Sequence, residues 1–267
     1  MNFLLKDVKA VLLDVQGTLT TRDERGNNVL IGGVKFIETA KKNNLKILVL
    51  TNATKLNESI VQELRSVGLP IEVDEVLSAG QATGLYISEK FGRSKLWVLG
   101  EKSLEEELKK YGHQFVDSLE DVPDFVVVGL DRDLNMEKLN RALRYLRKGA
   151  KLIGCHASKR IPEKGGETIS VGPIVKALEY ASDTQATIIG KPSPIMYQMA
   201  VRKMGISASE AVMVSDELSN DLYPARELGM KTVLVLTGVT KLSDVEKYSI
   251  KPDMVVDNID DLVRYFG

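Results

Sequence analysis

The strongest constraint in this sequence is the stretch Val8-Lys9-Ala10-Val11-Leu12-Leu13-Asp14-Val15-Gln16-Gly17-Thr18-Leu19-Thr20. An apolar run of strand length ends in an aspartate, and a glycine–threonine turn follows at once. The run is too continuous for a half-exposed strand, so it predicts a strand buried on both faces, as in a parallel sheet. Asp14 then falls at the carboxyl end of a central strand, where open α/β sheets bind their ligands. A carboxylate in that place must be paired, metal-bound or reactive. Asp14 is therefore a candidate nucleophile.

Downstream the pattern is β-α-β-α. Thr20 to Gly33 is polar and turn-rich, with a short apolar break at Val29-Leu30-Ile31, and reads as a loop or small hairpin. Val34, Ile37 and Ala40 have the spacing of a helix face, Lys46–Leu50 is a second buried strand ending in Thr51-Asn52, and Leu56–Val67 is an amphipathic helix stopped by Gly68. The rhythm resumes after residue 180. A strand at Ala186–Ile189 precedes Gly190-Lys191-Pro192-Ser193-Pro194 and a helix through Met204, and a strand at Ala211–Val214 precedes Ser215-Asp216-Glu217. A helix over Leu218–Leu228, strands at Lys231–Leu236 and Asp253–Val256, and a last helix over Asp257–Phe266 complete this half.

Between the halves lie strands at Leu96–Leu99, Phe125–Val128 and Lys151–Gly154 and helices at Leu104–Tyr111 and Met136–Arg147, with Ala157–Ser170 as a loop. The expected architecture is α/β: a Rossmann-like parallel-sheet core over residues 1–79 and 179–267, with an inserted α/β cap domain over 80–178. The length of 267 residues suits a domain with an insertion. A net charge of −1 argues against a nucleic-acid surface or a membrane-surface patch. One cysteine excludes an intrachain disulfide, and neither a signal-peptide pattern nor an apolar run of bilayer length is present, so the expected location is the cytoplasm.

Four strand ends each deliver a polar group: Asp14, Thr51-Asn52, Lys191, and Asp216 with Asp221. One parallel sheet would gather them along a single edge. Two carboxylates suit a hard divalent cation such as Mg²⁺, which takes one or two of them together with water and substrate phosphate. Lys191 and the Thr51 hydroxyl suit phosphate oxygens, cancelling the charge that builds up in phosphoryl transfer. An aspartate so placed is an adequate nucleophile for an aspartyl-phosphate. Each feature alone is an ordinary turn or cap; their order and their common position after strands make the case. His156, in a loop after a cap strand, is a candidate substrate contact. Cys155 and Trp97 read as core, Glu105-Glu106-Glu107 as a solvated helix face, and Lys159, Arg160 and Lys164 as a solvated loop.

These motifs resemble the haloacid dehalogenase superfamily of hydrolases, within the class IIA cap branch of NagD-like and p-nitrophenyl phosphatase-like proteins. Asp14-Val15-Gln16-Gly17-Thr18-Leu19 is similar to its first motif, Asp-x-Asp-Gly-Thr-Leu; Thr51-Asn52 is similar to its second, Lys191 to its third, and Asp216 to Asp221 to its fourth. Leu152-Ile153-Gly154-Cys155-His156 and Gly172–Ala181 most resemble the sub-branch of phospholysine phosphohistidine inorganic pyrophosphate phosphatase and its domain-containing protein 2 relative. The resemblance implies an Mg²⁺-dependent hydrolase of a small phosphorylated substrate. Asp14 is its nucleophile, the Gln16 carbonyl a metal ligand, Asp216 a direct ligand and Asp221 its support. Thr51, Asn52 and Lys191 hold the phosphoryl group. It also implies a homodimer. The sequence departs from the pattern at Ser215, where glycine is usual, and at Gln16, where most members carry the acid/base aspartate. Two other readings stay open: a catalytically silent phosphate-binding or regulatory protein, and a metal-free dehalogenase, against which Asp216 and Asp221 argue.

Overall fold

The computed structural model describes residues 8–163, 165–248 and 251–266. In chain order its first elements are β1 (Ala10–Leu13), the strands β2 (Thr20–Arg22) and β3 (Asn28–Leu30), α1 (Val34–Lys42), β4 (Lys46–Thr51) and α2 (Asn57–Ser66). Then come β5 (Val76–Ser78), α3 (Ala79–Phe91), β6 (Lys95–Leu99), α4 (Lys102–Lys109), β7 (Gln114–Phe115), β8 (Phe125–Val128), α5 (Met136–Arg147) and β9 (Lys151–Gly154). The remainder is β10 (Arg160–Glu163), β11 (Gly166–Ile169), α6 (Val171–Ser182), β12 (Thr187–Ile188), α7 (Pro194–Met204), β13 (Ala211–Ser215), α8 (Tyr223–Glu227), β14 (Lys231–Val235), α9 (Leu242–Val245) and β15 (Met254–Val256). The chain forms two compact units. One takes the chain up to Thr51, then Val61–Leu77, then from Tyr197 onward; the other takes Asn52–Ile60 and Ser78–Met196.

The first unit is built on a six-stranded sheet in the order β15-β14-β13-β1-β4-β5. β1 pairs in parallel with both neighbours, Leu13 lying opposite Val214 of β13 and Val49 of β4. Its four side chains are fully buried, which is why the run lacks polar alternation. The chain leaves β1 toward β4 and β5, then returns to the other side for β13, β14 and β15. The order therefore reverses between β1 and β13, and ligands of doubly wound sheets bind in the crevice at such a reversal. The polar stretch after β1 forms the antiparallel hairpin β2–β3, Thr20 opposite Leu30.

The second unit holds a five-stranded sheet, β12-β9-β8-β6-β7, parallel throughout. Its core packs Trp97, Tyr145, Leu152 and Val175 together, with the Trp97 and Tyr145 rings 5.6 Å apart. The strand at Thr187–Ile188 corrects a sequence expectation. It pairs with β9, Ile188 opposite Gly154, and so completes the second sheet instead of the core sheet. Accordingly this unit runs to Met196, beyond the boundary expected at 178. A two-residue pairing carries no periodicity that could tell one sheet from another.

Four further expectations change. Ala157–Ser170 is no plain loop: β10 and β11 pair as an antiparallel hairpin with Ile161 opposite Thr168. Lys164 lies outside the described residues. Glu107 does not belong to a solvated face; it is buried and accepts hydrogen bonds from the Asn57 main-chain N–H (3.3 Å), the Lys110 ammonium (2.9 Å) and the Tyr111 hydroxyl (3.3 Å). The helix expected over Leu218–Leu228 divides into a π-helical turn, Leu218–Leu222, and α8. The last helix is a 3₁₀ segment, Ile259–Tyr265. α3 was not anticipated, because its buried positions include Gly80 and Gly84 instead of large apolar residues; a Cβ on Gly84 would overlap the Tyr111 ring. Among the described residues no helix is long and apolar enough to cross a membrane.

Candidate active site

In the first unit, Asp14 follows β1 and Asp216 follows β13, the two strands that flank the reversal of strand order. The Asp14 N–H donates to the Val214 carbonyl (3.0 Å), which carries the parallel pairing one residue past the strand. The chain then closes a tight loop: the Leu19 and Thr20 N–H groups both donate to the Val15 carbonyl (2.9 Å each), and the Gly17 N–H donates to Thr20 (2.7 Å). Gly17 has φ +85°, a backbone region open to glycine. Gln16 is half-buried in this loop, its main chain bridged to Thr20.

Asp216 is buried against that loop. Its Oδ2 accepts the Val239 N–H (2.7 Å), its N–H donates to the Thr18 hydroxyl (3.1 Å), and that hydroxyl lies 3.4 Å from Oδ1. A Cβ on Gly17 or on Gly238 would overlap the Asp216 carboxylate. The Thr237 hydroxyl donates to the Gly17 carbonyl (2.5 Å), tying the loop after β14 to the loop after β1. Asp221 lies in the π-helical turn, and the Ser215 hydroxyl donates to its Oδ2 (2.6 Å). Below the turn, the buried Tyr197 hydroxyl donates to the carbonyls of Asn220 (3.0 Å) and Asp221 (3.2 Å). Burial pushes the Tyr197 hydroxyl well above its ordinary pKa, and the negative charges of Asp221, Asp14 and Glu217 add to the rise, so it stays a donor. Thr51 ends β4 beside β1.

The second unit gathers Asn52, His156, Ser158 and Lys191. The Asn52 amide donates to the Lys191 carbonyl (3.0 Å) and to the Ser158 hydroxyl (3.1 Å). Its Oδ1 is buried and has no hydrogen-bond partner among the described residues. Lys191 is buried. His156 Nδ1 accepts the Ser158 N–H (3.2 Å), which puts the imidazole proton on Nε2. Burial, then the Lys191 charge, push the His156 pKa down to about 4, so the ring is a neutral donor at ordinary pH.

Cys155, next to it, is fully buried, and burial raises its thiol to about 12. A thiol this poor in thiolate is a poor nucleophile. Cys155 is expected to resist a thiol reagent such as dithionitrobenzoate at pH 8 in the folded protein and to react fully in denaturant; rapid labelling without denaturant would contradict its burial.

Of the strand ends read from sequence, Asp14, Thr51 and Asp216 thus belong to the edge of one sheet, whereas Lys191 follows β12 of the other. Sequence reading missed Tyr197, Ser158 and the Thr237–Val239 loop. For the last a signal was present, since Thr237-Gly238 follows an apolar strand just as Gly17-Thr18 does. The oxygen-only donors Asp14, Asp216 and the main chain of a glycine turn suit Mg²⁺, which keeps several waters and needs few carboxylates. Among the described residues no group of three or more His, Cys, Asp or Glu is arranged as a metal cage.

Two family models match the chain: one described as haloacid dehalogenase-like hydrolase over residues 11–114, and one described as HAD-hydrolase-like over 188–262. An acid sugar phosphatase of Staphylococcus saprophyticus is 30% identical over 261 residues, which is 97% of this chain and 98% of that protein. The crystal structure of a 4-nitrophenylphosphatase from Thermotoga maritima superposes with a TM-score of 0.88 at 33% identity, covering 97% of this chain and 98% of the other. NagD from E. coli K-12 superposes with a TM-score of 0.85 at 26% identity, covering 94% and 97%.

Proposed function

The chain belongs to the haloacid dehalogenase-like hydrolases and is a phosphatase of that family, and from that premise we propose that it works through an aspartyl-phosphate on Asp14. The observation that carries this reading is the pair of buried carboxylates, Asp14 and Asp216, at the ends of the strands flanking the reversal of the sheet order. An Asp14 carboxylate oxygen forms a bond to phosphorus while the bond to the leaving oxygen breaks. The leaving group departs with the electron pair, and water then releases inorganic phosphate and restores the carboxylate. Asp216, with Asp14 and the Gln16 carbonyl, would hold Mg²⁺, which when bound neutralises phosphoryl charge. Asp221 braces that group, and Thr51, Asn52 and Lys191 take the phosphoryl oxygens. His156 offers Nε2–H to the substrate. The second unit, as a class IIA cap, and the homodimer that the family resemblance implies belong to the same reading.

Gln16 limits the substrate. An amide neither protonates a leaving group nor activates water, and loss of a positioned acid/base costs about 10²–10⁴ in rate. Leaving groups that need no proton, those of aryl and acyl phosphates and of pyrophosphate, escape most of that cost. With Mg²⁺ present, p-nitrophenyl phosphate and acetyl phosphate are expected to turn over at least about 10²-fold faster than methyl or sugar phosphates, and chelation of the metal is expected to stop all of it. Equal rates across that panel would contradict the reading. Gln16 also favours a second one, a protein that binds phosphate without turnover. Capture of beryllium fluoride on Asp14 with no hydrolysis of any panel member would identify it.

A further inference from the structure

We propose that Ser215 is a positioning residue for the divalent cation, acting through Asp221 and through the turn that begins at Asp216. The inference rests on the metal-dependent reading above. Ser215 is the last residue of β13 and is fully buried. Its hydroxyl donates to Asp221 Oδ2 at 2.6 Å, a length typical of a hydroxyl bonded to a carboxylate. The same oxygen accepts the Glu217 N–H at 3.1 Å. One hydroxyl therefore fixes a carboxylate six residues away and the main chain directly after Asp216.

The backbone is built for this bond. The Leu222 N–H donates to the Glu217 carbonyl (3.2 Å), five residues back, which is the wide π-helical pitch rather than the α-helical one. Tyr197 secures the same turn from its own helix, through the carbonyls of Asn220 and Asp221. Glycine, usual at position 215 in the proteins this motif resembles, has no hydroxyl to offer. This chain supplies a donor there, and removing it takes one charge-assisted hydrogen bond from a buried carboxylate.

Partners that orient metal-binding carboxylates typically change metal affinity by about 10- to 100-fold when removed. Ser215→Ala is expected to weaken Mn²⁺ and Mg²⁺ binding, measured by calorimetry without substrate, by about 10-fold or more. The KM for p-nitrophenyl phosphate at saturating metal is expected to stay near the parent value, and Ser215→Thr, which keeps the hydroxyl, to restore metal affinity. Should Ser215→Ala fail to fold, Tyr197→Phe carries the same test, because it frees the other side of the turn. Metal binding at parental strength in the Ala variant, or in Tyr197→Phe where that stands in, overturns the proposal, as does loss of affinity in Thr equal to that in Ala. If the parent protein itself binds neither ion, the metal-dependent reading fails first and this inference falls with it.

Discussion

Asp14→Asn is expected to lower turnover of p-nitrophenyl phosphate by roughly 10⁴- to 10⁶-fold, the scale on which enzymes lose rate when a covalent nucleophile is removed. The two side chains have nearly the same shape, and the hydrogen bond that anchors residue 14 to Val214 is made by its main chain, so the strand end survives the change. What disappears is the nucleophilic carboxylate, since an amide oxygen does not form a stable phosphoryl ester. Because that main-chain bond is kept, the melting temperature is expected to change far less than the activity. Steady-state kinetics beside a thermal melt separates the two effects. An Asn variant that keeps a tenth of the parent rate would place the nucleophile elsewhere.

The features of the site that lie on long apolar runs are legible in the sequence alone. β1, β4 and β13 are buried on both faces, so each reads as an uninterrupted hydrophobic stretch whose end is marked by the first polar residue. That first polar residue is what the site uses: Asp14, Thr51, and Asp216 one position past Ser215. Features that depend on pairing between distant segments were not legible. The strand before Lys191 is two residues long, and only its register with β9 shows which sheet it completes. Glu107 resembles its neighbours Glu105 and Glu106 in sequence, yet it is the one that meets Asn57, Lys110 and Tyr111. Ser215 was visible as a departure from the family pattern but not as a donor, because its acceptor, Asp221, reaches it only through a π-helical turn that no residue spacing announces.

Gln16→Asp is expected to raise turnover of methyl and sugar phosphates by about 10²–10⁴, the range that a positioned general acid and base contributes, while p-nitrophenyl phosphate changes little. The asymmetry follows from the leaving groups. A nitrophenolate leaves as a stable anion, whereas an alkoxide must be protonated as its bond to phosphorus breaks. The loop should accept the new side chain, because its conformation is set by main-chain bonds from Gly17, Leu19 and Thr20 and by the bridge between residues 16 and 20, none of which uses the amide. The proposed metal contact at this position is likewise a carbonyl, so the substitution leaves it in place. An added carboxylate near Asp14 does carry a cost in like-charge repulsion, which would surface as a lower melting temperature without metal and its recovery on adding Mg²⁺. The ratio of alkyl to aryl turnover is the decisive quantity. If it stays at the parent value in the Asp variant, proton transfer to the leaving group is handled by another residue, and the selectivity assigned to Gln16 is wrong.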